Sequence, residues 1–147
     1  MKPILLLILC IIVFYGCNKS TTSSNSRWTY NTDSFTGTST TLVDSSLNSS
    51  ASSGDYLLDI KYGNAPVAGV YTVVFPSGTL TSKECTITAA FNLYTPGGMT
   101  YYSLSGESVT VTTSNGKISA SFNNINMTSD FDTTMSYGVL SGVLIQQ

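Results

Sequence analysis

The sequence predicts an all-β fold, a single antiparallel β-sandwich or small barrel of about eight or nine strands, behind an N-terminal signal segment. Three observations carry this prediction. Several segments alternate apolar and polar residues with the two-residue period of a half-buried strand. An Asn-Gly pair at 115–116 separates two such segments, which is typical of a hairpin turn. Beyond the first 16 residues, no apolar pattern with the period of a helix extends over three turns.

The N-terminus has the layout of a bacterial lipoprotein signal peptide. Lys2 is followed by an unbroken apolar run over residues 4–15, and Gly16 and Cys17 come next. The run is too short for a membrane-spanning helix, which needs about 20 apolar residues. We therefore expect cleavage after residue 16 and lipidation of Cys17, whose thiolate would accept a diacylglycerol. The alternative is an ordinary signal peptide in which Cys17 is incidental.

The expected mature chain attaches to the membrane through its acyl chains. Removal of residues 1–16 leaves five basic and eight acidic residues, a net charge of −3. Such a chain has no electrostatic footprint for nucleic acid and does not attract acidic lipid head groups. Residues 17–26 are small and polar and predict a flexible Ser/Thr-rich tether, while residues 27–147 form one domain. These features favour a cell-envelope protein anchored in the outer membrane, on a side that the sequence leaves open.

The first half of the domain predicts strands of uneven clarity. A first strand is expected at 27–30, where aromatic and polar residues alternate, and a ragged second strand at 35–43. The Ser-rich segment 44–54 predicts a long loop. In the strand expected at 55–62, the even-numbered residues from Tyr56 onward are apolar and share one face.

The middle of the chain predicts three more strands. The run 70–75 is almost wholly apolar and predicts a central strand with both faces covered. Residues 85–94 alternate, so Cys85 and Leu93 are expected on the same buried face. A turn at 95–98 then leads to a strand at 100–104.

The hairpin around Asn115-Gly116 has a register that the turn fixes. A two-residue type I′ turn requires positive φ angles, which Asn and Gly adopt readily. This turn pairs Val111 with Ala120 and places both on the apolar face. Beyond Phe122 the apolar pattern slips by one residue, so a β-bulge is expected at Asn123-Asn124.

The last expected strand covers residues 135–145. One of its faces carries more large apolar side chains than the other, and we expect that face to be buried. The residues on it are Met135, Tyr137, Val139, Val143 and Ile145.

The composition leaves few candidates for catalysis. The chain has no histidine, which excludes Ser-His-Asp and Cys-His nucleophile systems and removes the usual zinc ligands. Cys85 is expected in the core, where burial raises the thiol pKa. Cys10 leaves with the signal and Cys17 would carry lipid, so no internal disulfide is expected. The sequence contains no phosphate-binding loop or dinucleotide fingerprint, and we expect no cofactor.

Carboxylates are the remaining candidates for a reaction or a metal. Asp55 and Asp59 share a strand face, as a hydrolytic pair would, but Lys61 shares it too, as on a solvated surface. Asp130 and Asp132 lie two residues apart in an expected loop and are weak calcium candidates, since calcium takes six to eight oxygen ligands. We therefore expect no catalytic residue and no metal.

Aromatic side chains are the candidates for ligand contact. Tyr101 and Tyr102 are adjacent in a strand, so one of them faces away from the core unless both faces of the sheet are covered. An exposed Tyr or Trp stacks on a sugar ring or anchors a protein partner. Together with Trp28 they are the expected contacts. The alternative is that the outward tyrosine only covers its neighbours.

Four motifs between Tyr56 and Leu144 specify strand pairing. They are Gly69-Val70-Tyr71, the strand from Gly106 to Val111, the strand from Ile118 to Phe122, and Ser141-Gly142-Val143. In this order they resemble small uncharacterised all-β lipoproteins of Bacteroidetes, in which an aromatic residue is more usual than Val143. The resemblance implies a lipoprotein with an all-β domain and adds no functional site.

The leading functional hypothesis is a lipid-anchored, non-catalytic β-domain with a binding or structural role, whose partner is a carbohydrate or a protein. One alternative is a secreted or envelope hydrolase that uses Asp or Glu. The other is a barrel that carries an apolar small molecule. An acidic cleft would favour the hydrolase, an aromatic patch the binding domain, and a large enclosed pocket the carrier.

Overall fold

The computed structural model describes residues 25–51, 55–129 and 136–147. These residues form an all-β fold and contain no helix, so they offer no helix long and apolar enough to cross a membrane. Residues named in the predictions above that lie outside these ranges are Lys2, Cys10, Gly16, Cys17, Asp130, Asp132 and Met135.

The described residues contain eleven strands, more than the eight or nine expected. In chain order they are β1 (Arg27–Tyr30), β2 (Asp33–Thr36), β3 (Ser39–Val43), β4 (Ser46–Ala51), β5 (Tyr56–Tyr62), β6 (Gly69–Val73), β7 (Glu84–Phe91), β8 (Met99–Ser103), β9 (Ser108–Ser114), β10 (Lys117–Thr128) and β11 (Gly138–Ile145).

Five of the strands close into a barrel. β10 pairs with β9, β9 with β6, and β6 with β7, and β8 completes the ring by pairing with both β7 and β10. The pairs are antiparallel except β6 with β7, which run parallel because the connection over 74–83 crosses back before β7 begins. The sheet continues from β10 through β11, β1 and β2, and from β7 through β5, β4 and β3.

A buried chain of hydroxyl groups joins the two outer arms of the sheet. Ser26 Oγ lies 2.6 Å from Thr40 Oγ1, which lies 2.8 Å from Ser49 Oγ, and all three residues are fully buried. Ser26 Oγ also accepts the N–H of Ile145 at 2.8 Å, and the N–H of Gln147 donates to the Thr40 carbonyl at 3.0 Å. Ser26, the last residue of the predicted tether, is therefore held in the domain.

The hairpin prediction is confirmed in both register and irregularity. Asn115 and Gly116 have φ angles of 51° and 75°, as a type I′ turn requires. Val111 pairs with Ala120, and both are buried. The pairing of β10 with β11 shifts within 122–125, where the bulge was expected.

The Ser-rich segment that was expected to be a loop contains β4, so that prediction is wrong. β4 alternates half-buried and buried residues, with Leu47, Ser49 and Ala51 buried. Its small serines permit close packing, since a Cβ on Gly37 would lie only 2.5 Å from Ser49 Oγ. The ragged strand expected at 35–43 is interrupted at Gly37 and Thr38, which separates β2 from β3 and raises the strand count.

The predicted buried face of the last strand is also wrong. β11 buries Gly138 and Leu140, while Tyr137 and Val139 are exposed. The reason is the size of the neighbouring Tyr30, because a Cβ on Gly138 would lie 2.5 Å from its ring. Gly138 faces inward because its lack of a side chain leaves room for the Tyr30 ring. Because glycine does not count as a large apolar residue, the sequence pattern led to the opposite face being predicted as buried.

Two further residues that were expected to be buried are exposed. β6 is a central strand as expected, paired with β9 on one side and β7 on the other, but Val70 projects outward, so the strand has one buried face rather than two. β7 ends at Phe91, so Leu93 lies in the following loop instead of on the buried face of the strand.

Candidate functional site

A cleft of about 550 Å³ opens at one end of the sheet, and five aromatic rings line it. We call it the aromatic cleft. Its rings belong to Tyr30, Phe35, Tyr56, Phe91 and Tyr101. The other lining residues are Asp33, Ser34, Asn92 and Met99.

Five different strands bring the rings together from distant parts of the chain, and three of the rings lie at strand ends. Tyr30 is the last residue of β1, Tyr56 is the first residue of β5, and Phe91 is the last residue of β7. Tyr56 pairs directly with Phe91 across the antiparallel ladder. Phe35 comes from β2 and Tyr101 from β8. Each ring therefore depends on the pairing of a different strand.

The rings pack against one another as a continuous aromatic surface. Ring centroids are 4.8 Å apart for Tyr30 and Tyr101, and also for Phe35 and Tyr56. Phe91 lies between the two pairs, 5.4 Å from Phe35 and 5.5 Å from Tyr101. These are tilted or edge-on arrangements, which favour the contact beyond the area that it buries.

Two of the rings form the floor of the cleft and three are accessible to a ligand. Tyr30 and Phe91 are 8% and 9% exposed. Phe35, Tyr56 and Tyr101 are half-buried, so part of each ring surface faces the cleft. A planar or apolar group of a ligand would meet these three rings.

The rim of the cleft is polar. Asp33, Ser34 and Asn92 are exposed, and Asp33 carries a carboxylate. The Tyr101 hydroxyl donates a hydrogen bond to the Met99 sulfur at 3.3 Å, which orients the tyrosine side chain. The arrangement combines an aromatic surface with a few polar groups that can orient a ligand, as small-molecule sites do.

Tyr30 is neutral in the floor of the cleft. Burial raises the pKa of its phenol above the ordinary value, and the adjacent Tyr101 raises it further. The Tyr30 hydroxyl is buried beside Tyr101. The residue therefore supplies ring surface to the cleft rather than a titrating group.

The structure brings one of the three predicted aromatic contacts into the cleft. Tyr101 lines it, whereas the adjacent Tyr102 is half-buried and is absent from the described lining. Trp28 is 2% exposed and stacks on Phe35 with centroids 5.8 Å apart. It is a core residue, so its ring is not accessible for stacking on a ligand.

Sequence analysis missed the other aromatic residues and Asp33. Tyr30, Tyr56 and Phe91 occupy strand ends in the structure. The sequence indicated this only for Tyr30, because the strands expected at 55–62 and 85–94 began before Tyr56 and continued beyond Phe91. An aromatic residue at a strand end is placed beside the loops, where binding sites concentrate. That signal does not show which strand ends meet.

The other sequence candidates lie in less promising surroundings. Burial raises the pKa of the Cys85 thiol to about 12, which makes it unreactive at neutral pH. Asp55 and Asp59 are four residues apart in extended chain, roughly 13 Å at about 3.3 Å per residue. Paired carboxyl groups in glycoside hydrolases lie about 5–9.5 Å apart. The described residues contain no cluster of three or more His, Cys, Asp or Glu residues that could hold a metal ion.

Asp59 is expected to make the folded protein less stable as the pH rises from about 4 to about 6. Burial raises the pKa of this carboxyl to about 6, and Lys61 and the Ser46 side chain oppose the shift without cancelling it. The folded state therefore binds more protons than the unfolded state, where Asp has a pKa of about 3.9. A shift of about two units corresponds to about 3 kcal/mol. Urea unfolding at several pH values should show this decline in the wild type and not in Asp59→Asn.

The control for that measurement is Asp44→Asn. Asp44 is exposed in the turn between β3 and β4, and its φ of 53° suits asparagine. This variant should keep the wild-type pH profile. Equal profiles for the wild type and Asp59→Asn would show that Asp59 does not titrate differently in the folded state.

Comparisons with known proteins found no relative for this chain. No protein-family model matches the sequence, and neither the curated proteins nor the solved structures contain a match. Any functional conclusion therefore depends on the sequence and on the geometry of the aromatic cleft.

Proposed function

We propose that this chain is a lipid-anchored protein of the bacterial cell envelope, anchored in the outer membrane, whose β-domain binds a small ligand in the aromatic cleft without a catalytic step. The observation that supports this proposal is the cleft itself. Its volume of about 550 Å³ falls within the range of about 300–1,000 Å³ typical of small-molecule sites. Lipidation at Cys17 would place the cleft at an envelope membrane.

The cleft suits a ligand that has an apolar face and polar edges. Such a face, in a sugar ring or another compact molecule, would stack on Tyr56, Phe35 or Tyr101. The polar edge would meet Asp33 and Asn92 at the rim. A site with one aromatic wall and one polar rim can bind and orient a ligand, and binding of this kind requires no catalytic group.

The hydrolase and the apolar carrier receive less support from this geometry. Glycoside hydrolysis uses a pair of carboxyl groups, and Asp33 is the one carboxylate in the described lining of the cleft. A carrier would need an enclosed cavity, but the cleft is open, and the inward residues of the barrel, such as Val73, Ile87 and Val109, are fully buried in one core.

A protein partner is the second candidate, and one observation favours it. The loop that follows β7 exposes Leu93 and Tyr94 beside the cleft, and Tyr94 is 77% exposed. Met99, at the end of the same loop, is exposed as well and lines the cleft. An apolar loop next to an aromatic cleft would allow a protein side chain to insert while its neighbours cover the loop.

The proposal is tested by a ligand screen on the purified full-length protein. Saccharides and small neutral or charged compounds would be tested by ligand-observed NMR, and the affinity of each hit measured by calorimetry. Tyr56→Leu and Tyr101→Leu preserve apolar bulk but remove the aromatic ring. Each is expected to weaken a cleft ligand by about tenfold, in the range found when an aromatic binding residue is truncated.

Tyr94→Leu is the matched control for the small-ligand proposal. It removes an aromatic ring that is exposed and absent from the described lining of the cleft. We expect its affinity for a cleft ligand to stay within twofold of the wild type. A ligand that binds equally to all four proteins does not use the cleft, and if every hit behaves in this way the proposed site is wrong.

A further inference from the structure

We infer that the aromatic cleft selects a positively charged ligand, a small organic ammonium compound such as one that carries a trimethylammonium group. The inference rests on the proposed function, because it names the ligand class of the same cleft. It is carried by two independent features, the distribution of charged residues and the close spacing of the rings.

The described lining of the aromatic cleft contains one carboxylate and no basic residue. The carboxylate of Asp33 lines the cleft, and Asp55 lies next to Tyr56, where its carbonyl accepts the N–H of Leu93. The basic residues of the described chain are absent from the described lining. They are Arg27, Lys61, Lys83 and Lys117.

The two lysines nearest in sequence to the rings are far from them along their strands, whereas Arg27 is nearer, three residues from Tyr30, and belongs to the exposed face of β1 rather than to the buried face of Trp28 and Tyr30. Lys61 is five residues from Tyr56 on β5, and Lys83, which immediately precedes β7, is eight residues from Phe91. At about 3.3 Å per residue, these separations are roughly 15 to 25 Å. That is beyond the Debye length of about 8 Å at physiological ionic strength, so these two lysines do little to oppose the attraction of Asp33 for a cation in the cleft.

The rings supply a second attraction for a cation. The face of an aromatic ring is the negative part of its quadrupole, and a cation binds it within about 6 Å of the centroid. The centroids of Phe35 and Tyr56 are 4.8 Å apart, and that of Phe91 is 5.4 Å from Phe35. One ammonium group can therefore lie within reach of Phe35 and Tyr56 at once, and both rings are accessible from the cleft.

The Asp33 carboxylate and the ring faces together predict that the cleft binds cations more tightly than neutral molecules, and neutral molecules more tightly than anions. Apolar stacking alone does not predict this order. A cation gains both the attraction of Asp33 and the cation–π contacts, a neutral molecule of the same shape gains only apolar contact, and an anion is repelled by Asp33. The trimethylammonium group fits best, because it presents an apolar surface to the rings and is weakly hydrated for a cation.

The test compares choline with its neutral carbon isostere, 3,3-dimethylbutan-1-ol, on the purified full-length protein by calorimetry. We expect choline to bind at least tenfold more tightly than the isostere. Asp33→Asn should weaken choline about fivefold and leave the isostere unchanged. Asp44→Asn is the control, because Asp44 is an exposed turn residue that does not belong to the described lining of the cleft. It should leave the affinities for choline and for the isostere unchanged.

A lipid head group carries the same trimethylammonium chemistry, and vesicles distinguish the two sources. We expect free choline to bind, and we expect phosphatidylcholine vesicles to retain no more of the Cys17→Ala protein than phosphatidylglycerol vesicles do. Retention on phosphatidylcholine vesicles without binding of free choline would overturn the assignment of a soluble ligand.

The remaining outcomes separate this inference from the proposed function. Equal affinities for choline and the isostere, or a choline affinity that Asp33→Asn does not change, overturn the inference. If a neutral saccharide then binds in a manner that Tyr56→Leu weakens, the binding function stands with a different ligand class. If Tyr56→Leu weakens the binding of no cation and of no neutral compound, both the cation inference and the proposed binding function fail.

Discussion

Replacement of Trp28 by alanine is expected to lower the free energy of unfolding by about 3–5 kcal/mol, the range for large-to-alanine changes of a buried aromatic residue. Trp28 is 2% exposed and stacks on Phe35. Its partner on β11 is Gly142, which has no side chain to fill the space that the indole would leave. The loss should therefore include both the apolar contact and the cavity.

Urea unfolding followed by far-UV circular dichroism measures this loss, because Trp28 is the single tryptophan and the variant has no tryptophan fluorescence. Trp28→Phe keeps most of the apolar volume, so it should lose less and it provides a folded comparison if the alanine variant does not fold. Tyr94→Ala removes an exposed aromatic side chain and should change stability by less than about 0.5 kcal/mol. A loss below about 1 kcal/mol for Trp28→Ala would contradict a core role and return Trp28 to the candidate ligand contacts.

The features that the sequence predicted well are those that neighbouring residues determine. Asn115-Gly116 specifies a turn by its backbone conformation, and that turn alone sets the pairing of Val111 with Ala120. The bulge at 122–125 appears in the sequence as a slip in the apolar pattern. The alternation in β5 likewise reports a buried face that is confirmed at Leu58, Ile60 and Tyr62.

The features that the sequence predicted wrongly depend on a distant partner, through its hydrogen bonding in one case and its size in the other. β4 buries the polar residue Ser49, which the hydrophobic pattern of a buried strand face does not predict. The Ser49 hydroxyl is accommodated there because it is hydrogen-bonded to the Thr40 hydroxyl in the buried chain of hydroxyl groups. β11 turns Gly138 inward because Tyr30 occupies the space in front of it. The pattern of hydrophobic residues along the chain does not show which residue lies opposite Ser49 or Gly138, or how large that residue is. The burial of these two residues can therefore be explained only once the strand pairing is known.

The candidate site was predictable only in part, for the same reason. Tyr101 was identified because two adjacent tyrosines in a strand must face opposite sides. Phe35, Tyr56 and Phe91 look like ordinary strand residues in the sequence. They become a cleft when Tyr56 pairs with Phe91 and β2 is placed against them.

Replacement of Cys17 by alanine is expected to abolish membrane attachment. The acyl chains would provide the whole anchor, because each buried CH₂ group contributes about 0.8 kcal/mol and the expected net charge of −3 does not attract acidic lipids. A single chain of ordinary length gives only reversible binding, whereas two or three chains hold firmly. The variant should therefore change from membrane-bound to soluble while its β-domain stays folded.

Cys10→Ala is the matched control, because it removes a cysteine of the expected signal segment that is not expected to carry lipid. It should be cleaved, acylated and membrane-bound like the wild type. If Cys10→Ala also lost the anchor, the change in Cys17→Ala could not be assigned to lipid at that residue.

The measurement that tests the proposal of a lipid-anchored envelope protein most directly is the intact mass of the full-length protein, combined with its partitioning between membrane and soluble fractions, for the wild type and Cys17→Ala. We predict that only the wild type loses residues 1–16, gains the mass of acyl chains and sediments with membranes. If both proteins were soluble and unmodified, the anchor at Cys17 would be contradicted, and the chain would be a freely secreted β-domain.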